Sequence, residues 1–153
     1  MNAKIINPFL TAGLNAFQNM FAITPESKEP YILQIASGHP WEISGIIGLT
    51  GEYYGVVAFR LHKVLANKML ELSGIVWENP EEKEELASQL VSEFTNIIAG
   101  NAASAIKESN IGVSPPVVVS GRNHVISWPH NYPVIAIPFV SQYGPFEVDV
   151  CFK

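Results

Sequence analysis

One amphipathic run constrains this chain more than any other feature. From Glu81 to Ser109, the residues Leu86, Leu90, Phe94, Ile97, Ile98, Ala102, Ala105 and Ile106 recur at helical spacing and form a single apolar stripe. The run opens after Asn79-Pro80 with Glu81, Glu82, Glu84 and Glu85, which suit the positive end of a helix dipole. Asn110 to Gly112 ends it. A stripe of this kind needs a second layer to pack on, and the rest of the chain offers strands.

Pro8 to Phe21 predicts a first helix, with Pro8 in the opening turn where a missing N–H is tolerated. Thr24 to Pro30 reads as a polar linker and Tyr31 to Ala36 as a strand. Glu42 to Leu49 and Tyr53 to Leu61 flank Thr50-Gly51-Glu52 and predict a hairpin. His62 to Leu72 predicts a helix stopped at Gly74. Val113 to Ser120 reads as a strand with Pro115-Pro116 at its start, hence an edge strand or a late-starting one. Gly121 to Pro133 is loop-like, and Val134 to Val140 with Phe146 to Phe152 predicts a second hairpin. Helix, strand and hairpin thus occur twice. Ala16-Phe17-Gln18-Asn19 can be laid on Glu93-Phe94-Thr95-Asn96, which suggests an internal pseudo-repeat. The expected fold class is α+β: a single domain over residues 1–153, mainly antiparallel sheet with helices packed on it.

Composition narrows the function. The 153 residues carry a net charge of −5 with only nine Lys and Arg, which argues against a nucleic-acid backbone binder. Charged residues are 15% and hydrophobic residues 48%, so disorder is not the theme. Cys151 stands alone, so no internal disulfide, CxxC pair or Cys-based zinc site is available. No stretch approaches the roughly 18 consecutive apolar residues of a membrane span. A soluble, reducing, cytoplasmic setting is the expectation. His39, His62, His124 and His130 are scattered and predict surface or packing roles rather than a metal site. Trp41 and Trp77 are expected in core or rim positions.

On the long helix, Glu93 and Asn96 stand at i and i+3 and are neighbours on one face, beside the Phe94 stripe. Gln89, Gly100 and Ala103 share that face. A mid-helix glycine costs about 1 kcal/mol against alanine, and its use at Gly100 would let another backbone come close beside Asn96. Spacing alone also allows a plainer reading, in which Glu93 and Asn96 are solvated and Gly100 packs on a strand.

The string from Ser92 through Glu93, Asn96, Ile97-Ile98 and Gly100-Asn101-Ala102 resembles the ExxN signature of the CheC/CheX/FliY chemotaxis phosphatases, the CheX branch in particular. The opening Asn7-Pro8-Phe9-Leu10 is also similar to the start of that branch. The resemblance implies removal of the aspartyl phosphate of a CheY-like response regulator. Asn96 would orient the attacking water and Glu93 would pair with a lysine of the regulator. The Mg²⁺ would belong to the regulator and no cofactor to this chain. An acyl phosphate is already activated, so positioning a water is most of the work. A neutral amide can accept from water and donate as well, without bringing negative charge to the phosphoryl oxygens. CheC-type members carry two ExxN sites. Here Asn19 matches the second asparagine, but Ala16 stands where the glutamate would be, which implies a single working site. The alternative is a non-catalytic interaction module of the same fold. The resemblance also implies a homodimer. The weakly charged C-terminal hairpin, with Glu147 and Asp149 on one face of its strand, is the expected pairing edge.

Overall fold

The structure is a computed structural model describing residues 3–34, 38–106, 110–129 and 132–152. The described residues form the helices α1 (Ala3–Phe21), α2 (Lys63–Leu72) and α3 (Pro80–Ala105). They also form the strands β1 (Glu26–Ser27), β2 (Tyr31–Ile32), β3 (Ile43–Gly51), β4 (Gly55–Leu61), β5 (Ile111–Val113), β6 (Val117–Ser120), β7 (Ile135–Ser141) and β8 (Gly144–Phe152).

Three boundaries differ from the sequence reading for physical reasons. First, α1 begins a turn before Pro8 and carries that proline inside it. Only the bond to the Lys4 carbonyl is lost near the frayed end, and burial of Ile5 and Ile6 offsets it. Second, the strand after Pro115-Pro116 does start late, at Val117, but a further short strand precedes the prolines. β5 and β6 both pair with β3, on either side of the prolines. Third, the polar linker contributes β1, a two-residue strand on β7, while β2 is shorter than expected. Residues 35–36 of that expected strand, 107–109 of the long helix, and His130 lie outside the described residues.

All strand pairs are antiparallel, in the order β1-β7-β8-β4-β3-β5, with β2 also on β7 and β6 also on β3. The repeat is visible in this order. Hairpins β3–β4 and β7–β8 meet at the β4–β8 ladder, and each outer hairpin strand is flanked by two short strands from the other half of the chain. Four rings bind the helices to the sheet centre. Phe17 of α1 lies 4.7 Å from Phe94 of α3 and 4.3 Å from Phe146 of β8, and Phe94 lies 5.3 Å from Phe59 of β4, centroid to centroid. Aromatic pairs at such separations add about 0.5–1.5 kcal/mol each beyond their buried area.

The expectation that the C-terminal hairpin forms an open edge is corrected here. β8 is paired on both sides, by β7 and by β4, and is the centre of the sheet. Glu147 and Asp149 do share a face, but both are buried. That face, opposite the helices, is covered by the loop-like stretch, whose Ile126 and Trp128 pack with Ala58, Val134 and Cys151. Trp41 and Trp77 are half-buried at the rim, Trp41 against the His62 ring and Trp77 under the Lys83 ammonium.

Candidate functional site

The site is built on α3. Asn79 caps the helix, its Oδ1 accepting the Glu82 N–H at 2.8 Å, and Glu82 Oε2 in turn accepts the Glu78 N–H at 3.2 Å. Reciprocal bonding of this kind satisfies donors that a helix start leaves free, and Pro80 takes the first helical position. The buried stripe of Ala87, Leu90, Val91, Phe94, Ile98 and Ala102 then fixes the rotation of the helix on the sheet. That rotation turns Gln89, Glu93 and Asn96 outward, and all three are exposed.

Gln89, Ser92, Glu93 and Asn96 form one wall of an open groove. Val113, Ser114, Pro115 and Pro116 form the other. The second wall is tied to the sheet through Ser114. Its Oγ accepts the Gly48 N–H at 2.8 Å and its own N–H donates to the Gly48 carbonyl at 2.9 Å. The two prolines stiffen the rest of this wall, because each ring fixes its own φ. Neither Glu93 nor Asn96 has a side-chain hydrogen bond or ion pair among the described residues, so both are free to meet a partner. Asn96 comes directly after Thr95, whose hydroxyl donates to the Val91 carbonyl at 2.7 Å and is buried against the sheet.

The remaining residues of the expected face divide. Gly100 is half-buried and does not line the groove, yet a side chain there would meet nothing within 4 Å, so the space beside it is open. Ala103 is 7% exposed. It belongs to the packed side of α3, and a small-residue strip running from Gly100 to Ala103 is not presented to solvent. On α1, Asn19 is exposed as Asn96 is, but Ala16 is 3% exposed, so the position matching Glu93 is inside the fold.

Sequence reasoning missed the second wall. Pro115-Pro116 was visible only as a strand signal, and nothing local ties Ser114 to Gly48. Chemically, the groove offers the amides of Gln89 and Asn96, the Glu93 carboxylate and the hydroxyls of Ser92 and Ser114, of which Ser114 is committed to the backbone. Among the described residues, no three His, Cys, Asp or Glu side chains are grouped to hold a metal ion. No helix among them is long and apolar enough to cross a membrane.

Solved structures of other proteins share this fold. That of a CheC-like superfamily protein from Shewanella sp. PV-4 is 29% identical, with a TM-score of 0.87, covering 100% of this chain and 99% of that one. The chemotaxis protein CheX from Desulfovibrio desulfuricans is 30% identical with a TM-score of 0.86, covering 97% of this chain and 99% of that one. A CheX–CheY–BeF3–Mg²⁺ complex from Borrelia burgdorferi is 24% identical and shares the fold, with a TM-score of 0.82 and 97% of each chain covered. No curated protein sequence matches the chain. The family described as "Chemotaxis phosphatase CheX" matches residues 43–140, a span that holds α3 and both walls of the groove, and the chain belongs to that family.

Proposed function

We propose that this protein dephosphorylates the aspartyl phosphate of a CheY-like response regulator, with Asn96 as the water-positioning catalytic residue. The observation that carries the reading is the exposure of Glu93 and Asn96 side by side in one groove, with no partner for either side chain among the described residues. The Asn96 amide reaches the phosphoryl group, accepts a hydrogen bond from a water through its oxygen and holds that water in line with the scissile P–O bond. Water adds to phosphorus, the bond to the aspartyl oxygen breaks, and inorganic phosphate leaves with the regulator's carboxylate restored. Glu93 engages a lysine of the regulator and sets the register. The BeF3 and Mg²⁺ of the related Borrelia complex lend support, because BeF3 stands in for a phosphoryl group and Mg²⁺ accompanies it. Here too the metal is assigned to the partner.

Gln89 and Gly100 belong to the footprint of the regulator. The open space at Gly100 admits the partner's backbone, and Gly100→Leu would fill it while improving helix propensity. The buried Ala103 is left to packing.

The experiment is phosphate release from a phosphorylated receiver domain with Mg²⁺, comparing the protein with Asn96→Ala. The variant should lose about 100-fold or more in turnover, the scale of a misplaced reacting group. Its stability should change by no more than about 0.5 kcal/mol, since Asn96 is exposed. Undiminished turnover overturns the assignment.

A homodimer is part of the same reading. With β8 interior, the outer edges of β5 and β6, and of β1 and β2, are the strand edges left for pairing among the described residues. Light scattering should give twice the chain mass of 16.8 kDa, and a monomer mass rejects the dimer.

A further inference from the structure

The second wall of the groove is a β-bulge. Leu49 of β3 pairs with Val113 of β5, and Ile46 of β3 pairs with Val117 of β6. Between these rungs β3 passes through Ile47 and Gly48, while the facing strand passes through Ser114, Pro115 and Pro116. The facing strand thus has one residue more, and an extra residue of this kind bends a strand and re-aims its side chains.

Ser114 latches the bulge to the sheet. Its N–H donates to the Gly48 carbonyl at 2.9 Å, and its Oγ accepts the Gly48 N–H at 2.8 Å, a donor that regular pairing would give to a backbone carbonyl. The same hydroxyl donates its own proton to the Pro115 carbonyl at 3.3 Å. Gly48 makes room for the latch, because a Cβ there would stand 3.1 Å from Ser114 Oγ. Pro115 and Pro116 have no N–H and a fixed φ. From Ser114 to Pro116 the wall therefore keeps no backbone donor to spare.

The two walls differ in chemistry. Gln89, Ser92, Glu93 and Asn96 line the groove with polar groups, and Val113, Pro115 and Pro116 line the other side with apolar ones. Pro115 is exposed and Pro116 half-buried. A segment seated between them meets polar groups on one side and an apolar, donor-free surface on the other. A receiver held by α3 alone is free to turn about the helix axis and carry its reacting atoms past Asn96. A stiff second wall at a fixed height on the sheet removes that freedom, and a misplacement of about 1 Å is enough to cost about 100-fold in rate. Resting on the role given above to Asn96, we propose that the bulge is the stop against which the receiver is set. Its occupant is an apolar side chain of the receiver segment that enters the groove, and Ser114 is a positioning residue that acts through the prolines.

The test follows phosphate release from a phosphorylated CheY-like receiver with Mg²⁺, at limiting and saturating receiver. Ser114→Ala loosens the wall, so kcat should fall about tenfold with KM changed by less than about twofold. Ser114→Thr keeps the hydroxyl and should restore kcat. Pro115→Ser together with Pro116→Ser makes the wall polar and should raise KM several-fold. The dependence of KM on salt should stay as in the parent, because no charge is removed. If Ser114→Ala does not fold, Gly48→Ala takes its place, since it presses on the latch while keeping the hydroxyl. A bulge that only supports the fold would lower the urea midpoint in Ser114→Ala and leave kcat at the parent value. That result overturns the proposal, as does a kcat loss that Ser114→Thr leaves unrepaired or a KM indifferent to the proline changes. A parent protein that releases no phosphate rejects the role of Asn96 and this inference with it. A parent that does so, beside variants that match it, rejects this inference alone.

Discussion

Thr95 of α3 occupies the space that a side chain at Gly45 of β3 would fill. A Cβ on Gly45 would overlap Thr95 Oγ1 and stand 3.0 Å from Thr95 Cβ and 3.3 Å from Val91 Cγ1. The glycine therefore sets how closely the helix approaches the sheet, one residue before Asn96. Gly45→Ala should lift α3 and cost about 1–3 kcal/mol, the usual range for overpacking. Turnover of a phosphorylated receiver should fall with it. Combining Gly45→Ala with Thr95→Ala removes the closest obstruction, the Thr95 hydroxyl, so urea unfolding should find the double variant more stable than the sum of the two single changes allows. Strict additivity would show that the contact does not set the helix height.

Glu93 gives a separate prediction about docking. Its carboxylate is exposed and has no partner among the described residues, as a group kept for a cationic partner must. Glu93→Gln keeps the shape and removes the charge. The apparent KM for the phosphorylated receiver should rise several-fold, and the dependence of KM on salt should flatten, because screening acts on the pair that has been removed. A variant with the KM and salt response of the parent would remove Glu93 from the docking contact.

Helix α3 was legible in the sequence because its signals are local. Asn79-Pro80 marks its start, and the Phe94 stripe fixes which residues turn outward, so Gln89, Glu93 and Asn96 could be placed on one face. The features that were not legible depend on contacts distant in the chain. Gly45 is a plain strand glycine until Thr95 is found against it. Pro115-Pro116 is a strand boundary until Ser114 is found bonded to Gly48, when the prolines become a groove wall. Ala103 shares the helical face of Asn96 by angle but is buried by its surroundings, which spacing cannot register. Glu147 and Asp149 alternate in the chain as surface residues of an edge strand would. Only the pairing of β8 on both sides, and Arg60 opposite Glu147 in the β4 ladder, turns them into a buried ionic cluster.

That cluster predicts how stability depends on pH. Burial first, and then the charge of Glu147, push the Asp149 carboxyl well above its ordinary 3.8. A group with a raised folded pKa binds its proton more tightly in the native state. Its contribution is therefore full below the unfolded pKa and is lost as pH rises through the folded value. Stability should fall as pH is raised from about 4 through the raised value. Asp149→Asn keeps an acceptor for Arg60 and can donate to Glu147 without needing a proton. In urea unfolding across that range, the variant should show a flatter pH profile than the parent. An identical slope in both proteins would locate the titration elsewhere.

The first helix yields the sharpest test of a single working site. Asn19 is exposed where Asn96 is exposed, and only Ala16 departs from the pattern. If the missing carboxylate were the sole defect, Ala16→Glu would create a second catalytic pair. The fold argues otherwise. Ala16 is 3% exposed, between Phe17 and the buried Ala12 and Gly13, and Gly13 lies against the Phe139 ring. A glutamate at this position must bury an unpaired charge or push the helix off the sheet. Leaving an unpaired charge in a buried site costs about 3–5 kcal/mol. Ala16→Glu should therefore lower the unfolding midpoint sharply and add no activity. Placing Ala16→Glu on the Asn96→Ala background isolates the question, because any receiver dephosphorylation that returns must come from α1. None is expected, and regained turnover in that double variant would mean that α1 retains a usable site.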